Sequence, residues 1–146
     1  QVDKITMSGT KINSVTGTMT GIAQLKSLDP YKKIEAETMS NQSKDISVSG
    51  LGNTTVKGTK GSWIKVSGAE LNKGTDSITI RAAASNGGVI KFCTGSPTGD
   101  VIGYAEIEAG NSMSEITVPS VSSVSGKKDI YLVFSSDIEL DYWYFS

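Results

Sequence analysis

Apolar and polar positions alternate along this chain in short phrases separated by Gly, Asn, Ser and Pro, the period of strands rather than of helices. In Ser77-Ile78-Thr79-Ile80-Arg81-Ala82 the apolar set is Ile78, Ile80 and Ala82, and the tight-turn signal Asn86-Gly87-Gly88 leads into Val89-Ile90-Lys91-Phe92-Cys93-Thr94. These two runs are predicted to pair as a hairpin. Further strands are predicted at Ser62–Val66, Val101–Ile107, Ser114–Val118, Asp129–Phe134 and Ile138–Phe145. Upstream, Asp29-Pro30-Tyr31 marks a turn into Ile34–Met39, read as the first firm strand, with Glu35 and Glu37 on one face. Ile46–Val48 alternates once, and the Gly-, Thr- and Lys-dense stretch 50–61 has room for one short strand. About nine short strands, with no sustained helical period, predict an all-β antiparallel β-sandwich of the jelly-roll kind. Residues 1–30 lack the apolar density to fold alone and read as an arm or linker, leaving 31–146 as one domain.

Composition narrows the function. The 146 residues suffice for one domain with a two-layer core. A net charge of -1 points to neither a nucleic-acid surface nor a polybasic membrane patch, and the chain reads as a monomer. No apolar run approaches the roughly 20 residues of a membrane span, and the first residues lack the order of a signal peptide. With no histidine there is no Ser-His-Asp or Cys-His relay and no His-ligated zinc. The single cysteine, Cys93, excludes an internal disulfide and reads as a packed small residue. Glu35 and Glu37 are too close and too parallel to flank a glycosidic bond, so the chain is not expected to be an enzyme.

Two sets of residues remain as candidates. If the first and last strands of the sandwich are neighbours, Asp141 joins Glu35 and Glu37. Three carboxylates at one point suit a hard cation such as calcium, while a solvated acidic strand face is the other reading. Alternation also turns Tyr131, Tyr142 and Tyr144 outward when Ile130, Leu132, Phe134, Trp143 and Phe145 face the core. Exposed aromatic faces flanked by polar groups are what sugar binding requires.

Ile34-Glu35-Ala36-Glu37, Gly61-Ser62-Trp63-Ile64, Ser96-Pro97-Thr98-Gly99, Asp129–Phe134 and the terminal Asp141-Tyr142-Trp143-Tyr144-Phe145, in this order and spacing, resemble family 6 carbohydrate-binding modules. The stretch from Gly21 to Tyr31 resembles the junction between such a module and a family 43 glycoside hydrolase. The resemblance implies a non-catalytic jelly roll attached to a secreted, extracellular bacterial enzyme. It would hold that enzyme on a plant cell-wall polysaccharide such as xylan, arabinoxylan or β-glucan. It also implies a structural calcium on Glu35, Glu37 and Asp141, with main-chain carbonyls from the turn at 51–55. The loop cleft of the family pairs two aromatic residues with an asparagine; those positions fall here at Lys57, at Asn111 or Ser112, and at Glu139. With neither aromatic present, the usual xylan complex is not expected in that cleft. The expected alternatives are binding on a concave sheet face through Tyr131, Tyr142 and Tyr144, or a structural module of the same fold that has lost its sugar.

Overall fold

A computed structural model describes residues 27–50 and 53–146, together with a short strand pair before them. In chain order the strands are β1 (Met7–Ser8), β2 (Lys11–Ile12), β3 (Ile34–Glu35), β4 (Asn41–Gln42), β5 (Ser47–Ser49), β6 (Thr55–Gly58), β7 (Trp63–Leu71), β8 (Ser77–Ala84), β9 (Gly88–Thr94), β10 (Val101–Ile107), β11 (Gly110–Pro119), β12 (Gly126–Phe134) and β13 (Ile138–Phe145). A 3-10 turn at Ala36–Thr38 follows β3. Among the described residues, strands β1 and β2 pair with each other. The remainder forms two antiparallel sheets, one in the order β10-β9-β12-β7-β4 and one in the order β11-β8-β13-β6-β5 with β3 alongside β13.

The alternating residues explain the two layers. Ile64, Val66, Ile90, Phe92, Ile130, Leu132 and Phe134 point inward from the five-stranded sheet, to meet Ile78, Ile80, Ala82, Leu140, Trp143 and Phe145 from the other. Edge-to-face contacts join the layers: the Phe92 ring lies 5.7 Å from Trp143 and 5.8 Å from Phe145, centroid to centroid. Gly58 is fixed by this packing, because a Cβ there would stand 2.4 Å from the Phe134 ring.

Two expectations are corrected. The β8 and β9 runs do not form a hairpin: β8 lies between β11 and β13, whereas β9 lies between β10 and β12. Both runs are apolar on the inward face, so facing each other across the core buries both sets. The Asn86-Gly87-Gly88 turn therefore crosses from sheet to sheet, with Gly87 at φ 72° and its N–H donating to the Ala84 carbonyl at 3.0 Å. The predicted strand Ile34–Met39 stops after two residues and winds into the 3-10 turn, so Glu37 does not share a strand face with Glu35.

Residues Leu28 to Tyr31 are hydrogen-bonded to the sandwich. Leu28 bridges Ala69 on the edge of β7, its N–H donating to the Gly68 carbonyl at 3.1 Å and its carbonyl accepting from Glu70 N–H at 2.9 Å. Phe145 N–H donates to the Pro30 carbonyl at 2.8 Å. The Tyr31 hydroxyl donates to the Gly74 carbonyl and accepts from Lys73 N–H, each at 2.8 Å. Most of the expected arm, including Gly21–Leu25, lies outside the described residues.

Candidate functional site

The loop cleft is present. Lys57 on β6, Asn111 on β11 and Glu139 on β13 come from three strands and line one cavity of about 470 Å³, with Ser47, Thr59, Ser85 and Asp137 among its other walls. Register explains part of this meeting, since Glu139 lies opposite Lys57 on one side and Ala83 on the other. Lys57 Nζ sits 3.5 Å from Glu139 Oε2, the Thr55 hydroxyl donates to Glu139 Oε1 at 2.6 Å, and the Ser85 hydroxyl donates to Asn111 Oδ1 at 2.7 Å. Among the described residues, the lining contains no aromatic side chain. The cleft offers hydrogen bonds and charge without a stacking surface.

The first and last strands are neighbours, with Glu35 opposite Tyr142 and Ile34 opposite Trp143. A β-bulge after Leu140 makes Asp141 an extra residue in the ladder: Leu140 pairs with Ala82, and Tyr142 already with Arg81. The bulge keeps both Leu140 and Trp143 inward and releases Asp141 to the outer side. Glu35, Glu37 and Asp141 then line one depression of about 440 Å³ with Asn53, Thr54, Lys33 and Arg81. Two of the carboxylates have cationic partners: Lys33 Nζ lies 3.0 Å from Glu35 Oε1, and Arg81 donates to Asp141. Glu37 Oε2 is buried with no hydrogen-bond partner. That orphaned oxygen and the surrounding oxygen donors suit a hard cation. Among the described residues, however, no three acidic side chains are close enough to hold an ion by themselves. Leu51 and Gly52, named for main-chain ligation, lie outside the described residues.

The three outward tyrosines do not share a face. Tyr131 is on β12 in the five-stranded sheet, while Tyr142 and Tyr144 are on β13 in the opposite sheet, so no single cleft contains all three. Alternation fixed their outward phase but carried no information on which layer each strand joins. Tyr142 is already engaged. Its hydroxyl donates to Glu115, Lys33 Nζ sits 4.2 Å from its ring centroid, and Tyr144 stacks at 6.4 Å. The hydrogen bond to Glu115 pushes the Tyr142 phenol up to about 12.

On the five-stranded sheet, Tyr131 meets Trp63 edge to face at 5.3 Å. Lys65 extends over Tyr131 at 5.7 Å and is held by Asp129 Oδ2 at 2.8 Å. This hydrogen bond raises the Lys65 ammonium and lowers the Asp129 carboxyl from their ordinary values. Half-buried Trp63 and exposed Tyr104 belong to the same outer face. Sequence reasoning did not place Trp63, Lys65 or Tyr104 in a site. With Ile64 and Val66 inward, alternation in Ser62–Val66 was signal enough to turn Trp63 and Lys65 outward.

Cys93 is buried, its thiol donates to the Pro97 carbonyl at 3.5 Å, and burial pushes its ionisation up, the opposite of what a nucleophile needs.

The model of carbohydrate binding module family 6 matches residues 35–146. The chain belongs to family 6 of the carbohydrate-binding modules. A family 6 module is a non-catalytic, carbohydrate-binding domain. The module is 30% identical to an arabinoxylan arabinofuranohydrolase of Paenibacillus polymyxa, over 92% of this chain and 24% of that protein. It therefore spans about a quarter of that relative's length. Its fold is that of a family 6 module of Clostridium stercorarium solved with cellobiose, with a TM-score of 0.78, 23% identity, and coverage of 84% of this chain and 98% of the other. A family 43 arabinoxylan arabinofuranohydrolase of Bacillus subtilis solved with cellotetraose superposes with a TM-score of 0.84 at 25% identity, over 99% of this chain and 33% of that one.

Proposed function

We propose that this module holds an attached family 43 glycoside hydrolase, outside the cell, on xylan, arabinoxylan or β-glucan. The sugar chain would bind on the outer face of the five-stranded sheet. The observation that carries this reading is where aromatic surface lies: the loop cleft has none, whereas Trp63 stands half-buried on the sheet with Tyr131 bracing its edge. One ring stacked on a pyranose contributes on the order of 1 kcal/mol by analogy with other aromatic contacts, enough to decide between two shallow polar surfaces. Tethering then raises the local substrate concentration for the attached enzyme. Affinity electrophoresis against these polymers tests the reading. Retardation should fall in Trp63→Ala and persist in Lys57→Ala and Asn111→Ala, and the reverse pattern would return the sugar to the loop cleft.

The Lys57–Glu139 pair favours a second reading, in which the module has lost sugar affinity and serves as a packing domain. Absence of retardation by every polymer would support it.

Calcium on Glu35, Glu37 and Asp141 is proposed in a structural role, supported by the unpartnered Glu37 oxygen. Ligand linkage sets the test: chelation should lower the melting temperature of the native chain and leave that of Glu37→Gln unchanged. Equal melting of the native chain with and without chelator would exclude the ion.

A further inference from the structure

Strand register lines up four outward residues in a row across the five-stranded sheet. Tyr104 on β10 lies opposite Lys91 on β9, Lys91 opposite Val133 on β12, and Val133 opposite Trp63 on β7. Adjacent strands are about 4.8 Å apart, so three steps separate Trp63 from Tyr104 by about 14 Å along a line perpendicular to the strands. The row has an aromatic ring at each end, an aliphatic floor at Val133 and a cation between them. Tyr104 is 49% exposed on the edge strand.

The cation has only a neutral neighbour, the Cys93 thiol two residues along β9. Among the described residues, Lys91 has no carboxylate within ion-pair distance, whereas Lys65 on the same face is held by Asp129 at 2.8 Å. Glu106 also faces outward from β10, but opposite Val89, off the row. An ammonium between two sugar-stacking positions gains little from the hydroxyls of a neutral chain. A carboxylate on that chain would make a charge-assisted hydrogen bond there.

We infer that this row is a track for an extended, uronate-bearing polysaccharide, lying across the strands from Trp63 to Tyr104 with its carboxylate on Lys91. The inference rests on the reading that sugar stacks on Trp63, and it adds the direction of the chain, a second stacking position and the acidic class of the ligand.

The test compares glucuronoxylan with the same polymer after reduction of its carboxyl groups to alcohols, using the full chain at low and high salt. Native protein should bind the acidic form roughly two- to five-fold more tightly at low salt, the scale of one exposed ion pair, and high salt should erase the difference. Lys91→Gln should bind both forms equally, at the affinity of the native protein for the reduced one. Tyr104→Ala should lose roughly three- to ten-fold on the polymer, the scale of one aromatic contact, and nothing on a disaccharide too short to span the row. Equal binding of the two forms by native protein, or a preference that survives Lys91→Gln, would overturn the acidic track and leave the Trp63 reading standing. Unchanged binding in Trp63→Ala, or no binding of either form, would overturn both.

Discussion

Tyr31 precedes the family match at residue 35 yet is tied into the module, so replacing it by Phe asks where the folded unit begins. The substitution keeps the ring and removes only the hydroxyl, which makes two hydrogen bonds of 2.8 Å to the main chain of the β7–β8 turn, at Gly74 and Lys73. A typical bond contributes about 0.5–1.5 kcal/mol net. Tyr31 is only partly buried, so water reaches the stranded carbonyl and amide and the loss stays near the lower part of that range. Together the two bonds give about 1–2 kcal/mol, or about 3–8 °C in Tm for a domain of this size. Tyr31→Ala also strips a ring that packs against the core and under Lys73 Nζ, at 5.2 Å, and should cost about 2–3 kcal/mol. Thermal and urea unfolding of the three proteins provide the assay. A Tyr31→Phe protein as stable as the native chain would show that the junction is not clamped to the turn, and the argument that residues before the family match belong to the folded unit would lose its main support.

Gly58→Ala should destabilise by about 1–3 kcal/mol, the range for overpacking, because the added methyl meets the Phe134 ring; unchanged urea unfolding would mean that the two sheets separate freely there. Asp129 has a lowered carboxyl, so its stabilising effect is complete above about pH 4 and is lost as pH falls through the lower folded value. The raised Lys65 gives the mirror case, its contribution lost as alkaline pH passes through the folded value, so Asp129→Asn should flatten both limbs of a stability-versus-pH curve. An acid limb identical to that of the native protein would refute this. In an ultraviolet titration Tyr142 should ionise near 12, and Glu115→Gln should bring it back toward 10; a native titration with no late tyrosine would remove the Tyr142–Glu115 bond from the account.

The two-layer fold was legible because apolar residues recur at every second position: Ile78/Ile80/Ala82 and Ile130/Leu132/Phe134 each declare an inward face. Layer membership was not legible. Period-two alternation says which side of a strand is apolar and nothing about its neighbours, so β8 and β9 passed for a hairpin and Tyr131 for a companion of Tyr142. Lys57, Asn111 and Glu139, which motif spacing assigned to one cleft, line one cavity. Arg81 was missed as the partner of Asp141, since the bulge that turns Asp141 outward has no sequence signature in Leu140-Asp141-Tyr142. The acidic run Glu35-Ala36-Glu37 looked like a strand because its composition fits one. Pairing with β13 ends after Glu35, and the chain then winds into the 3-10 turn that buries Ala36.

The central claim is that sugar meets the sheet face at Trp63 and not the loop cleft at Asn111, and each site carries its own nuclear magnetic resonance reporter. Titration of the isotopically labelled chain with xylohexaose should shift the indole N–H of Trp63 and leave the side-chain amide of Asn111 in place, with the indole of buried Trp143 as an internal control. A shifting Asn111 amide beside an unmoved Trp63 indole would contradict the account.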